Sequence, residues 1–373
     1  METIPQYLSP YQDLWEQNHK QGVLKWFSEA NYGMFIHYNM STLLHDNEWG
    51  MLNNAIPIDE YEKLTTHFTA HNFDADKIVD MAEAAGMKYI TMVTCHHDGF
   101  CLWNSKIEPY NVMHTPCGRD LVREMSEACD RKGMGFFVYY TFMLNWHHPY
   151  FVDTTVFDVA RPPYKTPEPR YLYRKKEDFK HYIDYIEAIM DELLSNYKVT
   201  GIWLDLIAAW YAMGYEYIPI DDIYENIRRK HPDVLISWKQ GATGTEYFAS
   251  PEHGFVDLTE SIRARFGDAG AERARIGFAR NKNKHNEICA TVQNGAWGYN
   301  PRCGYKSVDE LYNLLGHAQE HNCNLLLNVG FMADGSVDPL QRDIIFGLAD
   351  RIKKEGISKQ GRVSAVIKAA GAE

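Results

Sequence analysis

Residues 179–207, FKHYIDYIEAIMDELLSNYKVTGIWLDLI, carry the clearest helix and strand pattern in the chain. Its first part predicts a long helix, because apolar residues recur there at every third or fourth position. The residues that share this apolar face are Phe179, Tyr182, Ile183, Ile186, Ile189, Met190 and Leu193. Residues 201–207 follow as a short apolar run that is typical of a buried strand. A helix leading directly into such a strand is half of a βαβ unit, from which α/β proteins are built.

The same alternation of strand and helix signals extends along most of the chain. The predicted strands cover residues 33–38, 88–94, 135–141, 201–207, 235–239, 254–258, 288–292 and 324–329, and 254–258 has the weakest pattern. Eight strands alternating with helices favour an α/β fold of the (β/α)8 TIM-like barrel type, with a doubly wound open sheet as the alternative. We expect one catalytic domain over residues 1–373. Its long proline-rich loop at 142–176 follows the third strand and is expected to cover the active site.

Charge and cysteine content argue against several classes of partner. The formal net charge of −12 disfavours nucleic acid and anionic membranes, because both attract a positive surface. The most apolar region, 199–213, is interrupted by Asp205 and is too short to span a bilayer. The seven cysteines lack the paired CxxC spacing of a zinc site, and residues 1–11 show no secretory signal. We therefore expect a protein with reduced thiols that stays in the cytoplasm.

Polar residues gather where predicted strands end, which is where barrel enzymes carry their chemistry. The first strand ends near His37, the second is followed by His96 and His97, and the fourth contains Asp205. Because side chains alternate along a strand, Trp203 and Asp205 point to the same face. An isolated aspartate in an apolar strand would be interpreted as structural. The histidines and tryptophans on neighbouring segments favour an active site instead.

The adjacent residues His96 and His97 are compatible by themselves with metal binding or with an ordinary polar loop. Metal-dependent hydrolases on barrels usually carry an HxH strand and a further bridging ligand. The sequence contains no HxH. A metal site is therefore the weaker hypothesis.

Five segments complete the pattern: MFIH (34–37), EW (48–49), HHDGF (96–100), WLD (203–205) and NLLLNVG (324–330). In this order they resemble the α-L-fucosidases of glycoside hydrolase family 29, and the resemblance extends from about Trp26 to the helix after Asp338. It implies a (β/α)8-like catalytic domain that hydrolyses terminal α-L-fucosyl groups from oligosaccharides or glycoconjugates. The implied mechanism is double displacement with retention of configuration, without a metal or an organic cofactor.

The resemblance also implies roles for individual residues. Asp205 corresponds to the nucleophile. The residues that correspond to the fucose pocket are His37, Glu48, Trp49, His96, His97, Tyr140, Trp203 and Trp297. Lys239, at the end of the fifth strand, is expected beside a carboxylate at the substrate. Neutral imidazoles suit the hydroxyls of a sugar, and aromatic rings suit the C6 methyl group of fucose.

The general acid/base varies in position within this family, so two glutamates are candidates. Glu252 follows the fifth strand in a Pro-Glu pair that resembles the common position, and it is the first choice. Glu287, just before residues 288–292, is the second choice. A retaining pair needs carboxyl groups about 5 to 5.5 Å apart. For either residue the alternative is an ordinary solvated glutamate.

Two departures from the family pattern bear on the substrate. Tyr38 and Asn39 follow His37 where the family commonly has Trp-Gly, and with Glu373 as the last residue we expect no C-terminal β-sandwich of the kind that many relatives carry. Two other functions stay open. One is a glycosidase of the same barrel type that acts on a related sugar such as a β-galactoside, and the other is a catalytically silent fucose-binding protein. The expected partner is a fucosylated glycan, and the formation of homo-oligomers is left open.

Overall fold

Seven strands form one parallel sheet within residues 4–357, the part of the chain that the computed structural model describes. They are β1 (Tyr32–His37), β2 (Tyr89–Cys95), β3 (Gly135–Tyr140), β4 (Gly201–Leu204), β5 (Leu235–Trp238), β6 (Asn286–Thr291) and β7 (Cys323–Gly330). Their order in the sheet is β5-β4-β3-β2-β1-β7-β6, so β5 and β6 are its two edges.

Residues 247–253 join these two edges and are called the closing segment here. Ser237 of β5 forms a parallel bridge with Phe248, and Cys289 of β6 forms one with Glu252. These are isolated bridges and not a continuous ladder, and Pro251 lacks the amide hydrogen that a ladder would need. The strands are therefore closed into a (β/α)8-like barrel in which the member between β5 and β6 is irregular.

The strand predicted at residues 254–258 is wrong. These residues come after the closing segment and lead into the helix Thr259–Asn281. Val256 is 47% exposed, whereas a barrel strand would be buried on both faces. The other seven predicted strands overlap the observed ones.

Helices connect the strands. The α-helices among residues 4–357 are α1 (Gln12–Gln17), α2 (His19–Glu29), α3 (Gly50–Asn53), α4 (Ile58–Glu62), α5 (Ala75–Ala84), α6 (Leu121–Lys132), α7 (Lys180–Asn196), α8 (Ile207–Met213), α9 (Ile220–Lys230), α10 (Thr259–Asn281), α11 (Val308–Glu320) and α12 (Pro339–Glu355). Short 3-10 helices cover Gln6–Tyr11, Met40–Leu44, Lys63–His67, Val112–His114, Lys176–Phe179 and Gly214–Glu216. None of the helices between residues 4 and 357 has the length and apolar character needed to cross a bilayer.

Alternation along the strands separates an outer core from an inner core. Met34 and Ile36 belong to the outer core, which packs against the helices, whereas Phe35 belongs to the inner core. At the start of the strands, Trp26 of α2 packs so closely on Gly135 that a β-carbon there would collide with its ring. The inner core is thereby covered at the N-terminal ends of the strands.

Candidate active site

A cavity of about 300 Å³ lies at the C-terminal ends of the strands, within the size range of small-molecule sites. Ten of the residues that the sequence analysis selected line it. They are His37, Glu48, Trp49, His96, His97, Trp203, Asp205, Lys239, Glu252 and Trp297. The structure therefore brings together residues from segments that are more than 250 positions apart in the chain.

Asp205 is buried beside the cavity, and its carboxylate has three polar neighbours. Tyr139 donates its hydroxyl hydrogen to Oδ2 at 2.6 Å, and the Leu206 amide donates to Oδ1 at 2.6 Å. The Lys239 ammonium lies 3.4 Å from Oδ1. Burial alone would raise the pKa of Asp205, but Lys239, Tyr139 and Leu206 together hold it below its usual value. An oriented carboxylate that is ionised at neutral pH is suited to nucleophilic attack.

The backbone directly after Asp205 is unusual. Leu206 adopts φ 60° and ψ 52°, the left-handed region that a leucine rarely occupies. Such a conformation costs roughly 1–2 kcal/mol and persists where the surroundings enforce it. Trp238 contributes by donating its indole hydrogen to the Asp205 carbonyl oxygen at 3.0 Å. The turn aims the Leu206 amide at the carboxylate, so the strained residue helps to orient Asp205.

Glu252 lies on the other side of the same ammonium group. Its Oε1 is 2.5 Å from Lys239 Nζ, so Asp205 Oδ1 and Glu252 Oε1 are at most 5.9 Å apart, the sum of the two distances to Nζ. The Glu252 side chain is 35% exposed, whereas that of Asp205 is 9% exposed. Burial alone would lower the pKa of Lys239, but the two carboxylates raise it above its usual value. The cavity thus holds two carboxylates of different accessibility around one cation.

Hydrogen bonds fix the tautomers of two histidines. Asn328 donates its amide hydrogen to a backbone carbonyl, so its Oδ1 accepts from His37 Nδ1 at 2.6 Å. Thr141 likewise donates to a backbone carbonyl and accepts from His97 Nδ1 at 2.6 Å. Burial lowers the pKa of His37 to about 3 and that of His97 well below its usual value. Both rings are therefore neutral, and their Nε2 atoms are hydrogen-bond acceptors.

His96 is neutral for the same reason, since burial lowers its pKa well below the usual value. Its ring stacks on Tyr139 with centroids 5.5 Å apart and an interplanar angle of 9°. Its Nδ1 is buried and has no hydrogen-bond partner among residues 4–357. The ring itself lines the cavity.

Aromatic rings and a further carboxylate come from two loops. Trp49 lies 4.8 Å from His97 and Trp297 lies 5.4 Å from His37, measured between ring centroids. Glu48 accepts a hydrogen bond from the Gly298 amide at 3.1 Å, which joins the two loops. Burial raises the pKa of Glu48.

The donor atoms of His96, His97 and Asp205 lie within 4.8 Å of one another, a spacing that a metal ion could use. The Lys239 ammonium is 3.4 Å from the Asp205 carboxylate, and it would repel a divalent cation at that position. The cluster therefore suits a neutral ligand with hydroxyl groups better than a cation.

The predicted place of Tyr140 in the pocket is wrong, and Tyr139 takes that place. Tyr139 pairs with Trp203 in the register of β3 and β4 and shares its inward face. Tyr140 points outward, where its ring contacts Trp103 in the outer core. Alternation shows that Tyr139 and Tyr140 face opposite sides of β3, but it gives no sign of which side is inward.

Glu287 lies behind the cavity and not in it. Its side chain is buried, with a relative exposure of 1%. The carboxylate accepts hydrogen bonds from Tyr89 at 2.5 Å, from the Trp203 indole at 3.0 Å and from Ser250. Because these donors enclose the carboxylate, the second choice for the acid/base is not supported, and Glu252 remains.

Several cavity residues had no signal in the sequence analysis. They are Phe35, Tyr139, Phe157, Val159, Leu206, Ile207, Ala208, Arg265 and Cys289. Phe157 and Val159 belong to the loop at 142–176, which was predicted to cover the active site. Arg265 of α10 pairs with Asp158 of that loop at 2.8 Å. The loop was predictable as a whole, but the residues that it presents were not.

Comparisons with known proteins agree with this geometry. The sequence matches the family model described as "Alpha-L-fucosidase" over residues 2–357. It is similar to the plasma alpha-L-fucosidase of Homo sapiens, with 26% identity over 374 residues that cover 92% of this chain and 70% of that protein.

Two solved structures are similar over most of their length. Alpha-L-fucosidase isoenzyme 1 from Paenibacillus thiaminolyticus has 29% identity and a TM-score of 0.75, covering 92% of this chain and 78% of that chain. Alpha-L-fucosidase AlfC from Lactobacillus casei, in complex with its alpha-L-fucose product, has 27% identity and a TM-score of 0.71, covering 89% and 98%. These likenesses confirm the (β/α)8-like fold. Because the family model covers nearly the whole sequence, this chain belongs to the α-L-fucosidase family and is a glycoside hydrolase.

Proposed function

We propose that the protein is a retaining exo-α-L-fucosidase that removes terminal α-L-fucosyl groups from oligosaccharides or glycoconjugates. In this proposal Asp205 is the nucleophile and Glu252 is the general acid/base. The observation that carries it is the position of these two carboxylates on either side of the Lys239 ammonium in one cavity.

The separation of the carboxylates supports retention of configuration. Retaining glycosidases place the two groups about 5 to 5.5 Å apart, whereas inverting enzymes leave roughly 6.5 to 9.5 Å for a water molecule. Asp205 Oδ1 and Glu252 Oε1 are at most 5.9 Å apart. This bound is below the range of inverting enzymes and close to that of retaining ones, which favours the retaining mechanism.

In the first step an oxygen of Asp205 attacks the anomeric carbon, and the bond from that carbon to the leaving oxygen breaks. Glu252 carries a proton at this stage and transfers it to the departing oxygen. The product is a fucosyl ester of Asp205, and Glu252 is left as a carboxylate. Tyr139 and Leu206 hold the Asp205 carboxylate in position for this attack.

In the second step water enters from the side of the departed group. The water oxygen bonds to the anomeric carbon while Glu252 accepts a proton from this water. The ester bond between the anomeric carbon and Asp205 breaks at the same time. Fucose is released with its original configuration. Glu252 is protonated again, so the enzyme returns to its starting state.

The neutral histidines are proposed to recognise the sugar hydroxyls. His37 and His97 offer Nε2 as an acceptor, and the neutral ring of His96 lines the same cavity. The rings of Trp49 and Trp297 offer apolar surface for the C6 methyl group, which distinguishes fucose from galactose.

Trapping of the covalent intermediate tests the proposal. A fluorinated fucosyl donor should inactivate the protein, and mass spectrometry should find the label on a peptide that contains Asp205. A label on another carboxylate would show that the nucleophile is assigned wrongly. Hydrolysis of an aryl β-galactoside, without hydrolysis of the matching aryl α-L-fucoside, would favour the related-sugar alternative.

We also propose that the protein acts in the cytoplasm. All seven cysteines are free, as expected in a reducing compartment. Fractionation of the source cells, with antibody detection, tests this location.

A further inference from the structure

Glu287 of β6 is a buried carboxylate that the proposed mechanism does not use. It points into the barrel from the same face as Cys289, which lines the cavity. Three hydroxyl or indole groups from three different elements donate to it. Tyr89 comes from β2, Trp203 from β4 and Ser250 from the closing segment.

Two of these donors belong to the segments that carry the catalytic carboxylates. Trp203 is two residues before Asp205, and Ser250 is two residues before Glu252. Trp203 also stacks on Tyr139, with centroids 5.3 Å apart, and Tyr139 donates to Asp205. Glu287 therefore contacts the immediate supports of both members of the pair.

The closing segment is paired unevenly. Towards β6 three backbone bonds join it to Glu287 and Cys289, at the carbonyls of Ala249 and Pro251 and at the amide of His253. Towards β5 it has one bridge and the bond from the Tyr247 amide to the Ile236 carbonyl at 2.8 Å. Pro251 offers no amide hydrogen. The bond from Ser250 to Glu287 adds a side-chain link from this segment into the barrel interior.

We propose that Glu287 is a positioning residue that sets the separation of Asp205 and Glu252, by binding Trp203 on one side and Ser250 on the other. This role rests on the proposed function, since it assigns the carboxylate pair to Asp205 and Glu252. Glu287 itself does not touch the substrate.

The test is Glu287→Gln, which keeps the volume of the side chain but replaces one acceptor oxygen by an amide donor. At least one of the three donors then loses its partner. We expect kcat on fucosides to fall about 100-fold, because a displacement of about 1 Å in a catalytic group costs about that much. The fall should be larger for phenyl fucoside than for nitrophenyl fucoside, because a poor leaving group depends more on Glu252.

Glu108→Gln is the matched control. Glu108 is also a buried carboxylate that accepts from a tyrosine, Tyr185, at 3.0 Å, but it lies outside the cavity. Both variants could have a lower melting temperature and still keep kcat within about twofold on phenyl and nitrophenyl fucoside. In that case Glu287 is only structural and the proposal is wrong. An unaltered enzyme without activity on any fucoside would instead overturn the proposed function.

Ser250→Ala tests the contact of Glu287 with the closing segment separately from its contact with Trp203. It also tests the positioning role if Glu287→Gln does not fold. It removes only the link to the closing segment and leaves Trp203 bound to Glu287. We expect a loss of about tenfold on phenyl fucoside and a smaller loss on nitrophenyl fucoside. Equal rates for Ser250→Ala and the unaltered enzyme on both fucosides would contradict a positioning role.

Discussion

The charge state of Asp205 depends on neighbours from different parts of the barrel. Tyr139 lies on β3, Leu206 follows β4 and Lys239 follows β5. Each stabilises the ionised carboxylate, and together they outweigh its burial. Removing one neighbour should therefore change the pKa of Asp205 while the remaining contacts still hold the side chain.

We expect Tyr139→Phe to reduce kcat/KM about tenfold at neutral pH, since one hydrogen bond to a charged group is worth roughly 1.5–3 kcal/mol. Loss of this bond raises the pKa of Asp205. The acidic limb of the kcat/KM profile, which requires ionised Asp205, should therefore shift to higher pH. Tyr140→Phe is the control, because the adjacent ring points outward. A shift in Tyr140→Phe and none in Tyr139→Phe would refute the inward assignment.

Glu252→Ala should affect substrates according to their leaving group. A phenyl fucoside needs protonation of its departing oxygen, so we expect its turnover to fall by at least about 100-fold. A nitrophenyl fucoside should react with a much smaller loss in the first step. Azide should restore turnover, since a small anion fits the vacated space and yields a fucosyl azide. Equal losses on both substrates, without azide rescue, would remove Glu252 from the mechanism.

Among the structural elements, the long loop after β3 is held in a fixed shape by hydrogen bonds within it. Arg161 is buried in it and donates to the carbonyl oxygens of Val152 at 3.1 Å, His148 at 2.8 Å and Phe151. Its guanidinium also lies over the Tyr171 ring at 3.6 Å. These bonds fix the backbone that presents the apolar cavity residues of the loop.

Arg161→Ala should loosen this loop, because several buried carbonyls lose their hydrogen-bond donor. Each carbonyl left without a donor costs about 1–3 kcal/mol of stability. We expect KM for fucosides to rise about tenfold and limited proteolysis to cut within residues 149–172. Arg131→Ala, which removes a surface ion pair with Asp76, is the control. Unchanged KM and cleavage in Arg161→Ala would show that the loop holds its shape without this residue.

The regular strands were predictable because their apolar runs are continuous and lie between helices with clear periodicity. The closing segment was not predictable. It contains Pro251 and pairs with its neighbours through isolated bridges, so its sequence lacks the alternation of a regular strand. The prediction placed the eighth strand at residues 254–258, where β-forming residues are present but Val256 is exposed. Pairing with neighbours, and not local preference, decides which residues close the barrel.

The site residues likewise fall into those that the sequence could predict and those that it could not. Residues at strand ends, such as His37 and Asp205, were predictable, because parallel strands deliver their C-terminal ends to one edge. Arg265 was not, because α10 reaches the cavity only through the tertiary arrangement. The burial of Glu287 was equally invisible, since its donors Tyr89 and Ser250 are distant in the chain.

At the scale of the whole molecule, burial of histidine couples stability to pH. The buried histidines whose pKa burial lowers most are His37, His96, His97 and His148. In the unfolded chain each would bind a proton near pH 6.5. Between about pH 3 and 6.5 the unfolded state therefore binds more protons, so stability falls as pH falls below 6.5.

We expect the melting temperature to decrease from pH 6.5 to pH 5, with each histidine contributing at most about 1.4 kcal/mol per pH unit. Burial raises the pKa of Glu287 to about 7, that of Asp98 to about 6 and those of Glu48 and Glu108 as well, which acts in the opposite direction. Burial also lowers the pKa of His253 and His317, so six histidines oppose four acids and the net slope keeps its sign. Thermal unfolding followed by circular dichroism at several pH values checks this, and a rising melting temperature on acidification would contradict it.

The irregular closure of the barrel bears on how enzymes of this type diverge. In a regular strand, inserting one residue before Glu252 would turn every later side chain to the opposite face. Residues 247–253 are held by separate contacts, so an added residue can be absorbed locally while the neighbouring strands keep their register. The number of residues between Asp205 and Glu252 can therefore change while the two carboxylates keep their positions across the cavity.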